Sequence, residues 1–217
     1  MAKDTLYDTT YEAIRAKILD GTLKPGSRLL QKEIANDFGL SHVPLREALR
    51  KLEGERLVVV SPRRGVTVSS LSEEGLTDLY RVRLALEPLA FRRAAEFATA
   101  ADLEEMQKTL DQLADVVGDP IAFFRAHDEA VRANIDLAPG DVLADIVHMV
   151  RERSQHLRYA YSQLPGESER LLERWRKIVA AMLRQNAELV EQLARLHLIE
   201  GRDALLAWHA ENQAAEQ

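Results

Sequence analysis

Cysteine is absent from the 217 residues, which excludes a disulfide framework and any thiolate metal site. No apolar run approaches the roughly 18 residues that a membrane helix needs. The opening residues, MAKDTLYDTT, contain no apolar segment of the kind a signal peptide requires. A cytoplasmic protein without a membrane anchor is therefore expected. Beyond residue 70 no alternating strand pattern occurs, and no internal repeat is found. What is present is a hydrophobic fraction of 46%, enough to build packed cores and to argue against global disorder.

The net charge of −6 conceals an asymmetry. Residues 1–70 carry 12 Lys/Arg against 9 Asp/Glu, whereas residues 71–217 carry 17 against 26. The chain thus joins a basic third to an acidic remainder. Local sign, not the total, decides whether a protein attracts nucleic acid.

Within the basic third, Tyr7, Tyr11, Ile14 and Ile18 share one helical face. That helix should end near Gly21, and Pro25-Gly26 should make a turn. Ile34 and Phe38 mark the inner face of a short second helix over 31–38, which Gly39 stops. Ser41 is a suitable N-cap for a third helix, with Pro44 tolerated in its first turn. Leu45, Leu49 and Leu52 must face inward, so Arg46 and Arg50 project away from the core and His42 stands at the N-terminal tip. Residues 57–61 and 66–69 read as two short strands, with Pro62-Arg63-Arg64-Gly65 as their turn. A helix tip carrying arginines suits the major groove, because a guanidinium can bond guanine O6 and N7 together. A cationic hairpin tip suits the minor groove or a phosphate.

These residues, from Leu29 to Val68, resemble the winged helix-turn-helix domain of the GntR family of bacterial transcription regulators, and the resemblance covers nearly all of 6–69. It implies that Lys32 early in the second helix touches DNA. It also implies that Ser41, His42, Pro44 and Arg46 form the reading tip, although the family more often has arginine where His42 stands. Gly65 matches the family's wing glycine, flanked by Arg63 and Arg64.

Helices are expected at 73–98, 101–117, 120–137, 142–161, 167–184 and 187–209, making a bundle after a boundary near residue 70. Pro88 falls inside the first and should kink it. The run Arg151-Glu152-Arg153 reads as a solvated face, with partial lining of a pocket as the alternative. The stretch 74–200 resembles the FCD effector domain of the FadR branch of the same family. The resemblance implies a small-molecule site, a dimer, and in many members a divalent metal held by Asp and three His. Here those four positions are His127, Val131, Trp175 and His197. With only two imidazoles left, no metal cofactor is expected; a weak divalent site at His127 and His197 stays an alternative. Arg83 matches an arginine of the family pocket, and Asn134 shares a helical face with His127 and Val131. Arg83, His127, Asn134, Trp175 and His197 are therefore the expected effector residues.

The expectation is a mainly α protein: a winged helix-turn-helix over 1–70 and a helical effector and dimerisation bundle over 71–217. It would bind a palindromic double-stranded DNA operator as a homodimer and respond to a small organic molecule, most plainly a carboxylate. No catalytic residues are expected. A constitutive DNA-binding protein with a degenerate sensor, and a metal-assisted helical enzyme, are the alternatives.

Overall fold

A computed structural model describes residues 6–19, 22–30, 33–35, 42–55, 57–61, 65–70, 72–162 and 164–215. The chain divides into two compact units, Met1–Leu71 and Ser72–Gln217.

In the first unit, α1 (Leu6–Leu19) buries Tyr11, Ile14 and Ile18. Gly26 has φ +78° and Ser27 N donates to Lys24 O at 3.0 Å. Pro25 followed by a positive-φ glycine is what a type II turn requires. The turn delivers β1 (Arg28–Leu29), and Leu30 O then accepts from Glu33 N and Ile34 N at 2.9 and 3.1 Å, opening the helical residues 33–35. Helix α2 (His42–Gly54) turns Leu45, Ala48, Leu49 and Leu52 inward. Each such leucine contributes about 1.5–3 kcal/mol through burial. The Tyr11 hydroxyl donates to Glu55 at 2.5 Å, and Lys51 Nζ lies 3.7 Å from the Tyr11 ring; together they fix α2 against α1.

The strands β2 (Val58–Ser61) and β3 (Gly65–Val68) pair antiparallel, with Val60 opposite Val66. A third strand corrects the expected two-stranded ribbon: β1 pairs with the other edge of β3, giving the order β1-β3-β2. Two residues are too few to show alternation in a sequence. Their place is set by Gly26 N donating to Val68 O at 3.0 Å and Val68 N donating to Ser27 O at 2.9 Å.

The second unit is helical. Ser72 caps α3 (Glu73–Phe97), its side chain accepting from Gly75 N. Pro88 sits inside α3 without an N–H, which frees the carbonyl four residues earlier. That carbonyl, Leu84 O, accepts instead from Arg195 Nη1 at 3.1 Å. A capping box between Thr99 and Asp102 starts α4 (Ala100–Asp115). Asp119 followed by Pro120 starts α5 (Pro120–Asp136).

The single helix expected over 142–161 is two: α6 (Asp141–Glu152) and α7 (Gln155–Ser162). Ser154 takes the Arg151 carbonyl through both its N–H (3.2 Å) and its hydroxyl (3.1 Å), just where α6 closes at Glu152. Gly166, at φ +81°, precedes α8 (Glu167–Leu183), and Asn186 Oδ1 accepts from Leu189 N at the start of α9 (Ala187–Ala215). Phe91, Phe123, Ile135, Trp175, Ile178 and Met182 are among the buried core of this bundle.

Candidate functional site

In the winged unit, Arg46 and Arg50 are exposed on α2. With Leu49, Glu53, Val60 and Val66 they border a groove between α2 and the β2–β3 hairpin. Glu53 closes one side by accepting from Val60 N at 3.1 Å. Gly65 adopts φ +77°, a conformation that side chains resist. A Cβ there would meet Arg28 Nε and Nη2 at 3.6 Å, so the exposed Arg28 lies over the base of the wing. Arg28 was not foreseen, since its nearness to the wing depends on the unforeseen strand β1. Lys32, Ser41, Arg63 and Arg64 lie outside the described residues, as do the side chains of His42 and Pro44 and the expected second helix beyond 33–35.

In the helical unit, a cavity of about 550 Å³, counted to its open mouth, is lined by Arg83, His127, Arg151, Arg158, Arg174 and His197, with Tyr80, Phe124 and Tyr161 among its wall. Behind them lies a buried ion network. Arg83 gives both Nε and Nη2 to Glu87. Arg151 bridges the two buried acids, reaching Glu87 at 3.1 Å and Asp128 at 2.7 Å. Asp128 also accepts from Arg158 at 3.1 Å and from Arg132 at 3.2 Å. Arg174 reaches Glu200 at 3.2 Å, with the buried Glu167 at 3.8 Å.

Four guanidiniums line the space, against three buried carboxylates, Glu87, Asp128 and Glu167. Burial pushes Glu87 upward, but Arg83 and Arg151 outweigh it and hold the carboxyl below its usual range. Burial likewise opposes Asp128, and Arg158, Arg151 and Arg132 override it. Burial, with smaller contributions from Arg151 and Arg83, holds Arg158 down to about 10 against the pull of Asp128. Arg151 Nε, Arg158 Nε, and Arg174 Nε and Nη2 have no hydrogen-bond partner among the described residues. Unsatisfied buried donors cost about 1–3 kcal/mol each, so these cavity-lining arginines hold donor capacity that no described residue uses.

The FCD domain family matches residues 78–200, and the gntR family of bacterial regulatory proteins matches residues 6–68. The chain belongs to the GntR family, with an FCD domain. The HTH-type transcriptional regulator McbR of Escherichia coli (strain K12) is 30% identical over 172 residues, which are 77% of this chain and 78% of McbR. The solved structure of E. coli McbR/YncC superposes with a TM-score of 0.78 at 22% identity, covering 94% of this chain and 99% of that one. A GntR transcriptional regulator from Rhodococcus sp. RHA1 gives 0.77 at 24% identity, covering 93% and 97%. These families and relatives are transcription regulators, which removes the enzyme alternative. Among the described residues, no helix is long and apolar enough to cross a membrane.

The FCD domain of this GntR chain does not fit a divalent metal. Val131 and Trp175, at two of the four family positions, are buried in the core. His127 and His197 remain, with ring centroids 6.1 Å apart. The neighbouring Asp128 is already shared by Arg132, Arg151 and Arg158, and the surrounding guanidiniums repel a cation.

The expected effector residues of the FCD domain fall into two groups. Arg83, His127 and His197 line the arginine cavity. Asn134 and Trp175 line a different one, between α4, α5 and α8. Arg151 does line the cavity, but it is buried at the centre of the network at 3% exposure and not part of a solvated face. Its partners Glu87 and Asp128 are buried acids with no motif in the sequence to mark them. The available signal was charge inside otherwise apolar faces: Arg83 and Glu87 fall in line with Leu76, Tyr80 and Phe91 on α3.

Burial and then Arg151 push His127 down to about 3 despite Asp128, and burial followed by His127 and Arg174 pushes His197 well below its ordinary 6.5. Both imidazoles are neutral in the folded protein. Below pH 6.5 the unfolded chain binds protons that the folded chain refuses, so stability is full above that pH and falls as acid is added. Each imidazole contributes a slope of up to about 1.4 kcal/mol per pH unit. A further loss follows as Glu87 and Asp128 approach their unfolded values of 4.5 and 3.8. Urea unfolding at successive pH values is expected to show decline beginning near 6.5, shallower in His127→Phe. Constant stability down to pH 5 would contradict the buried neutral pair.

Proposed function

We propose that this GntR-family chain is a ligand-responsive transcription regulator that binds an inverted-repeat operator as a homodimer, and that its effector is a small anion held in the arginine cavity. The observation that carries the effector reading is the set of four guanidiniums lining one cavity, with donors of Arg151, Arg158 and Arg174 unpartnered among the described residues.

Arg83 serves as a fixed wall, because its fork is occupied by Glu87. Arg174, with Nε and Nη2 both unpartnered among the described residues, is the arm that meets the ligand, a carboxylate or phosphate being matched to paired N–H donors; Arg158 adds its Nε alone, since its Nη1 and Nη2 both donate to Asp128. His127 and His197, both neutral, can each offer one ring N–H without adding charge. The arginines do here what a metal does in many FCD domains: they supply positive charge to the anion.

One recognition helix reads one half-site, so a two-fold dimer implies a palindromic operator. Val82 and Leu89 on α3, with Val142, Ile146 and Met149 on α6, are exposed apolar side chains on two helices that pack together. This face is suited to a second copy of the chain. Control then follows from linkage: the anion shifts DNA affinity only as far as it prefers one arrangement of the dimer over the other. A cytoplasmic location suits such a function.

Thermal unfolding with succinate, citrate and inorganic phosphate tests the anion reading. At least one is expected to raise the melting temperature of the wild-type protein, with the gain lost in Arg174→Met. No gain from any of the three would favour a constitutive DNA-binding protein whose sensor no longer responds.

A further inference from the structure

A second cavity, of about 420 Å³ counted to its mouth, opens between α4, α5 and α8. Its inner wall holds Asn134 and Trp175, which are only 1% and 2% exposed. Neither Asn134 Nδ2 nor Oδ1, nor Trp175 Nε1, has a hydrogen-bond partner among the described residues. Met106, Ala130 and Leu137 supply apolar wall, and Asp102 and Glu105 stand on the same lining. The Trp175 ring is held edge-on by Phe91 and by His127, at 6.0 and 5.5 Å between centroids. His127 borders the arginine cavity, so two packed rings separate the spaces.

From this we infer a second ligand site, specific for an uncharged, largely apolar small molecule bearing a primary amide or lactam. The three unpartnered atoms comprise two donors and one acceptor. One amide group matches them all: its carbonyl oxygen has two lone pairs for Asn134 Nδ2 and Trp175 Nε1, and its N–H donates to Asn134 Oδ1. A carboxylate would satisfy the donors but set its charge against Asn134 Oδ1 and the acidic Asp102 and Glu105. An ammonium group would leave both donors unmet. The apolar remainder of the molecule lies against Met106, Ala130 and Leu137, as is usual for small-molecule sites. The inference does not depend on the arginine cavity holding an anion.

The probes are benzamide and δ-valerolactam, with benzoate and benzylammonium as charged controls at equal concentration. The chain has two tryptophans, so Trp208→Phe leaves Trp175 as the sole reporter. An amide probe is expected to raise the melting temperature and shift the Trp175 emission, and the charged controls to do neither. The response should vanish in Asn134→Leu. It should also vanish in Ala133→Phe, which plugs the mouth from an exposed position and leaves the core untouched. Without any probe, Asn134→Leu should itself melt higher, because it removes an unsatisfied buried amide. Silence of both amides, an equal response to benzoate, or a response that survives Ala133→Phe in a helical, folded protein would overturn the site.

Discussion

Asp128→Ala is expected to destabilise the helical unit by about 3–5 kcal/mol, the cost of leaving buried charge without its partner. Asp128 is the acid on which Arg132, Arg151 and Arg158 converge, from α5, α6 and α7. Removing it leaves Arg151 and Arg158 facing each other and Arg83, with Glu87 as the nearest buried counter-charge. The network as a whole need not be stabilising, since taking these ions out of water costs much of what their attraction returns. Breaking it at one point is a different matter, because desolvation stays while compensation goes. Arg132→Ala is the control. Its side chain is 29% exposed and also pairs with Glu152, so a loss of no more than about 1 kcal/mol is expected. Urea unfolding of the two variants checks the contrast; equal effects would mean that Asp128 does not hold the cavity together.

Arg46→Ala is expected to weaken operator binding by about 1–3 kcal/mol, roughly ten- to a hundredfold, and to relax sequence preference at the base pair it reads. The argument is geometric. Leu45, Leu49 and Leu52 anchor α2 from beneath, which leaves Arg46 exposed on the first turns of the helix, beside the groove that leads to the wing. A phosphate contact would behave otherwise, weakening all sequences alike and reducing the salt dependence. Fluorescence anisotropy with the preferred duplex and single-base variants separates the two. Normal affinity and selectivity in Arg46→Ala would refute the placement of the recognition helix.

Most of the fold was legible because its helices carry their own punctuation. Thr99, Asp119-Pro120 and Pro165-Gly166 mark ends that the sequence states chemically, and the leucine period of α2 orients its arginines without reference to anything distant. What was not legible depends on long-range partners. The break between α6 and α7 rests on one carbonyl taken by Ser154. Strand β1 exists because β3 offers an edge. The arginine cavity draws Arg83, Arg151, Arg158 and Arg174 from four helices, and nothing local distinguishes a buried Arg151 from a solvated one. Placing Asn134 with His127 on one face of α5 was sound as helix geometry. Yet two helical turns separate them, and Asn134 lines a different cavity.

Selection of bound duplexes from random DNA by the purified chain, followed by stoichiometry and salt titration of the winner, tests the central claim most directly. The prediction is an inverted repeat occupied by two chains, with affinity falling steeply as salt rises. Retention of no sequence above background, or of an asymmetric site bound by one chain, would contradict it.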